Sequence, residues 1–167
     1  MDKEDYIPYE EYVKIRSDGS GHDIGFSEAH TWGRGAAGLF IRNNDEVLLL
    51  LRSEGTLDYG FWGIPGGARK ETKNGLEDAL VTALEEAREE IGYLPRGNIK
   101  RQPYVFRKPN SKFTYETYIL DVWPIERQIY SPVLNWEHCG WRWFEVGKLD
   151  PMIVHPGVME VVRNYKF

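Results

Sequence analysis

The chain has a single cysteine, Cys139, and none of its four histidines (His22, His30, His138, His155) stands at zinc-ligand spacing. A disulfide-stapled scaffold and a zinc module are thereby excluded, and a reducing, cytoplasmic setting is expected. Positive charge is also short, since 21 Lys and Arg against 26 Asp and Glu leave a net charge of -5. Such a field repels a polyphosphate backbone, so bulk nucleic-acid binding is not expected. Long apolar runs are missing too: the densest, Val47 to Leu51, is far below the roughly 20 residues that span a bilayer. The opening Met1-Asp2-Lys3-Glu4-Asp5-Tyr6 lacks a basic stretch followed by an apolar one. No membrane association is expected. Repeats, low-complexity tracts and Ser/Gly linkers are absent as well, which favours one domain over 1–167 with 1–26 as a polar arm packed on it. A homodimer is compatible with all of this.

Aromatic residues are plentiful, with 6 Trp, 10 Tyr and 7 Phe. Most are expected in the core, and one or two are candidates to stack on a planar ligand. Tyr12 to Ile15 looks strand-like. Two apolar runs, Ala36 to Ile41 and Val47 to Leu51, flank Asn43-Asn44-Asp45 and predict two buried strands joined by a tight turn. Phe61-Trp62-Gly63-Ile64-Pro65-Gly66-Gly67 disfavours helix and lets backbone approach a ligand closely. Leu76, Ala79, Leu80, Ala83, Leu84, Ala87 and Ile91 then recur at helical spacing, with Gly92 as the stop. Further strands, a turn at Lys108 to Ser111, and a short helix entered at Pro156 complete a mixed α/β pattern.

At about 100° per residue, Glu86, Glu89 and Glu90 fall on one flank of that apolar stripe, with Glu90 almost inside it. A solvated acidic face explains most Glu-rich helices, and Asp78 and Glu85 fit it. The flank trio does not, because carboxylates crowded beside buried surface repel one another and lose hydration. A hard divalent ion relieves both costs. The Gly-Gly turn before the helix adds main-chain amides and carbonyls suited to a metal-bound diphosphate.

Gly67 through Tyr93 resembles the signature of the Nudix hydrolases, G-x5-E-x7-R-E-U-x-E-E-x-G-U, through Glu77, Glu86, Glu89, Glu90, Gly92 and Tyr93. Trp62 to Gly67 and Trp141 to Phe144 resemble the segments that flank it, and the likeness runs from about Gly35 to Leu149. Two departures stand out. Nine residues separate Gly67 from Glu77 where the pattern has five, and Glu85 occupies the arginine position. The resemblance implies an α/β/α sandwich around a mixed β-sheet and a hydrolase that uses Mg2+, with Mn2+ as a substitute. It implies that Glu86, Glu89 and Glu90 bind the metal with the Gly67 carbonyl, and that a loop acid completes the site, for which Glu137 is the candidate general base. Arg34, Arg52, Phe61, Trp62 and Tyr104 are the candidate substrate contacts. A small nucleotide is the expected partner. ADP-ribose or a nucleotide sugar is weakly favoured; the alternatives are a nucleoside triphosphate or dinucleoside polyphosphate pyrophosphohydrolase, and a nucleotide-binding module without turnover.

Gly33 to Gly38 satisfies G-x-G-x-x-G, but it leads into an apolar strand rather than a helix, so a dinucleotide fingerprint is rejected. No G-x-S-x-G elbow or P-loop lysine motif is present.

Overall fold

A computed structural model describes residues 3–17 and 34–167; Gly33, His22 and His30 lie outside them. After a 3-10 turn at Lys3–Asp5 the elements are β1 (Tyr6–Pro8), α1 (Tyr9–Tyr12), β2 (Gly35–Asn43), β3 (Glu46–Arg52), β4 (Trp62–Gly63), β5 (Gly66–Ala68), β6 (Glu71–Thr72) and β7 (Gly75–Leu76). There follow α2 (Ala79–Ile91), β8 (Gly97–Lys100), β9 (Tyr104–Arg107), β10 (Thr114–Val122), α3 (Pro124–Ile129), β11 (His138–Glu145) and α4 (Pro156–Asn164).

Nine strands form one mixed sheet in the order β1-β8-β10-β2-β3-β11, with β4 on β3, β5 on β2 and β9 on β10. The β10–β2 pair is parallel and the others are antiparallel. β2 and β3 are the two apolar runs, and Asn44 turns between them at φ 52°. They pair only beside that turn, at Arg42↔Val47 and Asn43↔Glu46. Farther along they part, and β5 and β4 fill the gap, one against Ala36 to Gly38 and the other against Leu50 and Leu51. The amide of Leu39 donates to the Pro65 carbonyl at 3.0 Å within the same gap. This split brings the Gly66-Gly67 backbone into the middle of the sheet.

Side chains alternate across the sheet, so each central strand feeds two cores. Leu39, Ile41, Leu48, Leu50 and Leu120 pack with Leu84, Ala87 and Ile91 of α2. Phe40, Val47, Leu49 and Ile119 pack with Val158 and Val161 of α4 on the other face. Helices on both faces give the α/β/α sandwich. Each large side chain buried in this way stabilises the fold by roughly 1.5–3 kcal/mol. Ala37, Ala79 and Ala83 meet where small residues let the start of α2 lie close to β2.

Two local expectations change, and the extra loop takes a definite shape. The Tyr12 to Ile15 segment is the end of α1 and the turn after it, since Tyr12 is buried and its hydroxyl donates to the Pro95 carbonyl at 2.9 Å. The strand of this region is Tyr6–Pro8, paired with Lys100 to Asn98. Leu76 belongs to β7 rather than to the helix, because Asp78 caps α2 by accepting from the amides of Leu80 and Val81. The extra loop residues form the small β6–β7 hairpin, which pairs Glu71 with Leu76 outside the main sheet. No helix among the described residues is long and apolar enough to cross a membrane.

Candidate active site

The last two turns of α2 run along β5, whose two glycines face opposite ways. A Cβ on Gly67 would stand 2.6 Å from the Glu86 carboxylate, whereas one on Gly66 would meet the Tyr115 hydroxyl and, at 2.7 Å, the Ala37 carbonyl oxygen. Neither position tolerates a side chain, so a glycine pair is what lets Glu86 and Tyr115 close on this strand from opposite sides. The Gly66 amide donates to Glu90 Oε2 at 3.0 Å.

Glu90 is only 1% exposed. Burial, then the neighbouring charges of Glu137 and Glu86, push its carboxyl up from 4.5 to about 9, while the Gly66 amide and Arg52 act the other way. The Tyr115 hydroxyl is likewise raised, by burial and then by Glu90 and Glu86. Glu89 is exposed on the same helix.

Glu137 reaches this group because its loop is stitched to the end of the helix. The amides of Val133 and Asn135 donate to the carbonyls of Ile91 and Glu90 at the helix end, at 2.9 and 3.2 Å. Asn135 then orients Glu137, its Nδ2 donating to Glu137 Oε1 at 3.3 Å and its Oδ1 accepting from the Glu137 amide at 3.1 Å. The amide of Ser53 donates to the Glu137 carbonyl at 2.9 Å, tying the loop to the end of β3. Arg52, the last residue of β3, places Nη1 3.4 Å from Glu137 Oε2 and 3.5 Å from His138 Nε2. An arginine only donates, so Nε2 of His138 must accept. Burial, and then the charge of Arg52, pull the His138 pKa down to about 4, so the ring is neutral and its proton sits on Nδ1. That atom lies 3.6 Å from Glu90 Oε1.

Of the candidate residues, Glu86, Glu90, Gly67, Glu137 and Arg52 come together here. Arg34 is exposed and ion-paired with Glu71 of the hairpin. Trp62 stacks edge-on to Phe144, with ring centroids 5.0 Å apart, in the core on the α4 side. Tyr104 joins the same core, with its hydroxyl bonded to Glu160 at 2.6 Å, and Phe61 lies edge-on to His155. Trp62 and Tyr104 are thus packed, partly buried, against the α4-side core. Asn135 and Tyr115 escape sequence reasoning: one acts through backbone capping, the other through the parallel β10–β2 pairing, and neither leaves a local motif. His138 is near Glu137 in sequence, but only the structure turns its ring inward.

The carboxylates gathered around Gly66-Gly67 are those of Glu86, Glu90 and Glu137, and oxygen donors of this kind suit a hard divalent ion. Among the described residues no three Asp, Glu, His or Cys side chains are grouped closely enough to hold a metal ion by themselves.

Residues 32–164 match the family model for the NUDIX domain. The chain belongs to the Nudix family. It is 30% identical over 154 residues, 86% of this chain and 67% of the relative, to "Putative 8-oxo-dGTP diphosphatase 3" of Mycobacterium tuberculosis. Among solved structures it resembles the Nudix hydrolase RenU of M. smegmatis at 25% identity and a TM-score of 0.56, covering 78% of this chain and 82% of that one. The fold is also that of a MutT NUDIX hydrolase from Burkholderia pseudomallei, with a TM-score of 0.56 at 18% identity over 80% of this chain and 98% of the other. The protein is a Nudix-type pyrophosphohydrolase.

Proposed function

We propose that this Nudix enzyme hydrolyses a nucleoside triphosphate, with 8-oxo-dGTP the first compound to test, in a reaction that depends on Mg2+ or Mn2+. The observation that carries the reading is the likeness to the 8-oxo-dGTP diphosphatase relative, which extends over 86% of the chain. The other reading, ADP-ribose or a nucleotide sugar, draws on aromatic rings that could stack on a base or ribose. Trp62 and Tyr104 are instead packed in the α4-side core, which removes that support.

Glu86, Glu89 and Glu90, with the Gly67 carbonyl, are the proposed metal-holding groups. A bound divalent ion would screen the phosphates and acidify an attacking water. Glu137 has the position of a general base: Asn135 and Arg52 fix its carboxylate, and its side chain keeps 23% exposure through which water can reach it. The water oxygen forms its bond to phosphorus as its proton passes to Glu137, and the phosphoanhydride P–O bond breaks. Arg52 has the charge and the place to meet the phosphates as well.

Comparison of kcat/KM for 8-oxo-dGTP, dGTP, a dinucleoside tetraphosphate and ADP-ribose, each with and without Mg2+, tests the reading. A triphosphate should lead ADP-ribose by about tenfold or more, ~1.4 kcal/mol of transition-state preference. ADP-ribose leading by that margin would overturn it.

A further inference from the structure

Glu85 stands where the Nudix pattern carries an arginine, and the nearby Arg88 is occupied elsewhere. Its Nη1 donates to the Ile15 carbonyl at 2.7 Å and to Glu85 Oε1 at 2.9 Å, and its Nη2 donates to the Tyr12 carbonyl at 3.1 Å. Arg88 therefore fastens the N-terminal segment to α2. Support for the buried Glu90 comes from outside the helix. The Gly66 amide holds Oε2, and on the other side Oε1 faces His138 Nδ1, which is buried and has no hydrogen-bond partner among the described residues. A buried ring nitrogen left 3.6 Å from a carboxylate oxygen is a donor poised at the edge of bonding distance. The far nitrogen of the same ring rests against Arg52 Nη1.

We propose that His138 is a positioning residue which carries the orientation of Arg52 to Glu90, donating from Nδ1 to Oε1 and turning the carboxylate for metal binding in place of the missing helix arginine. The inference rests on the metal-holding role of Glu90 given above. A ligating carboxylate is itself held by outer partners, and loss of such a partner weakens metal binding by about 10–100-fold.

Three variants separate this role from simple packing. Asn at 138 can place an amide N–H near the Nδ1 position, Gln can reach only toward the Nε2 position, and Leu fills the space with neither. Mn2+ binding to the nucleotide-free protein, followed by electron paramagnetic resonance, is read beside Tm and the kcat and KM for the preferred nucleotide. His138→Leu should weaken Mn2+ binding and lower kcat by about tenfold or more, with KM changed less than kcat. His138→Asn should recover most of both, and His138→Gln should not. Should His138→Leu fail to fold, the Asn and Gln pair still decides. Equal behaviour of Asn and Gln, or wild-type Mn2+ affinity in His138→Leu, overturns the inference while leaving the metal site standing. Absence of Mn2+ binding by the wild type overturns the metal site and the inference together.

Discussion

The two faces of the central sheet are built from the same strands, yet they hold different chemistry. On the α4 side Phe40, Val47, Leu49, Ile119, Val154, Val158 and Val161 form an apolar core. On the α2 side Leu39, Leu48, Leu50 and Leu84 do the same packing, but Glu90 and His138 are buried at the edge of that layer, at 1% and 4% exposure. Burial without charge stabilises; burial of a carboxylate beside two others is a cost, tolerated where the group has another use. One face supports the fold, and the other carries strain of an electrostatic kind next to the proposed chemistry.

That contrast is broken most severely by Glu90→Gln, which keeps the side-chain volume and removes the charge. Turnover should fall on the order of 1,000-fold, ~4 kcal/mol of transition-state stabilisation, while the fold persists. The same variant sharpens the electrostatic side. In metal-free protein Glu90 holds its proton up to about pH 9, whereas the unfolded chain releases it near 4.5. The folded state thus binds more protons between those values, and stability falls as pH rises through them. His138, pulled from 6.5 to about 4, gives the opposite slope below pH 6.5. Between about pH 6.5 and 9, therefore, Tm in EDTA should decline in the wild type and stay flat in Glu90→Gln. A decline that persists in the variant would exclude Glu90 as its source.

Leu49→Ala tests the other face. Leu49 is fully buried against α4, so its truncation should cost about 2–5 kcal/mol of unfolding free energy, read by denaturant titration. Turnover per folded molecule should stay near wild type. A large fall in kcat at a temperature where the variant is folded would show that the two faces are coupled.

The smallest effect is expected for Asp78→Asn, at the far end of α2 from Glu90. Asn can accept the same Leu80 and Val81 amide bonds, so stability should move by less than about 0.5 kcal/mol and activity should hold. A tenfold loss of kcat would mean that the charge at this end acts on the carboxylates along the helix.

Much of the architecture was readable locally. The β2–β3 hairpin follows from two apolar runs around Asn43 to Asp45, and α2 from the Ala83, Leu84, Ala87, Ile91 stripe ending at Gly92, which takes φ 79° as a helix stop often does. The flank position of Glu86 and Glu90 also follows from helical rotation. What did not follow is which of three adjacent acids is buried: the wheel groups Glu86, Glu89 and Glu90, while packing leaves Glu89 in solvent and seals Glu90 against Gly66. The aromatics show the same limit. Phe61, Trp62 and Tyr104 look available in sequence, but Trp62 and Tyr104 are drawn into the α4-side core.

The sequence by itself determined the β2–β3 pair, the main helix α2 with its acidic flank and the glycine pair that precedes it, because those depend on periodicity and backbone freedom within a few residues. Only the tertiary structure decided that β2 and β3 part to admit β5, that the 133–135 backbone closes the end of α2 and delivers Glu137, and that Arg52 and His138 stand behind Glu90. Those placements join residues up to 86 positions apart. They are selected by the need to satisfy buried amides, carbonyls and charges all at once, a condition that no single stretch of chain can express.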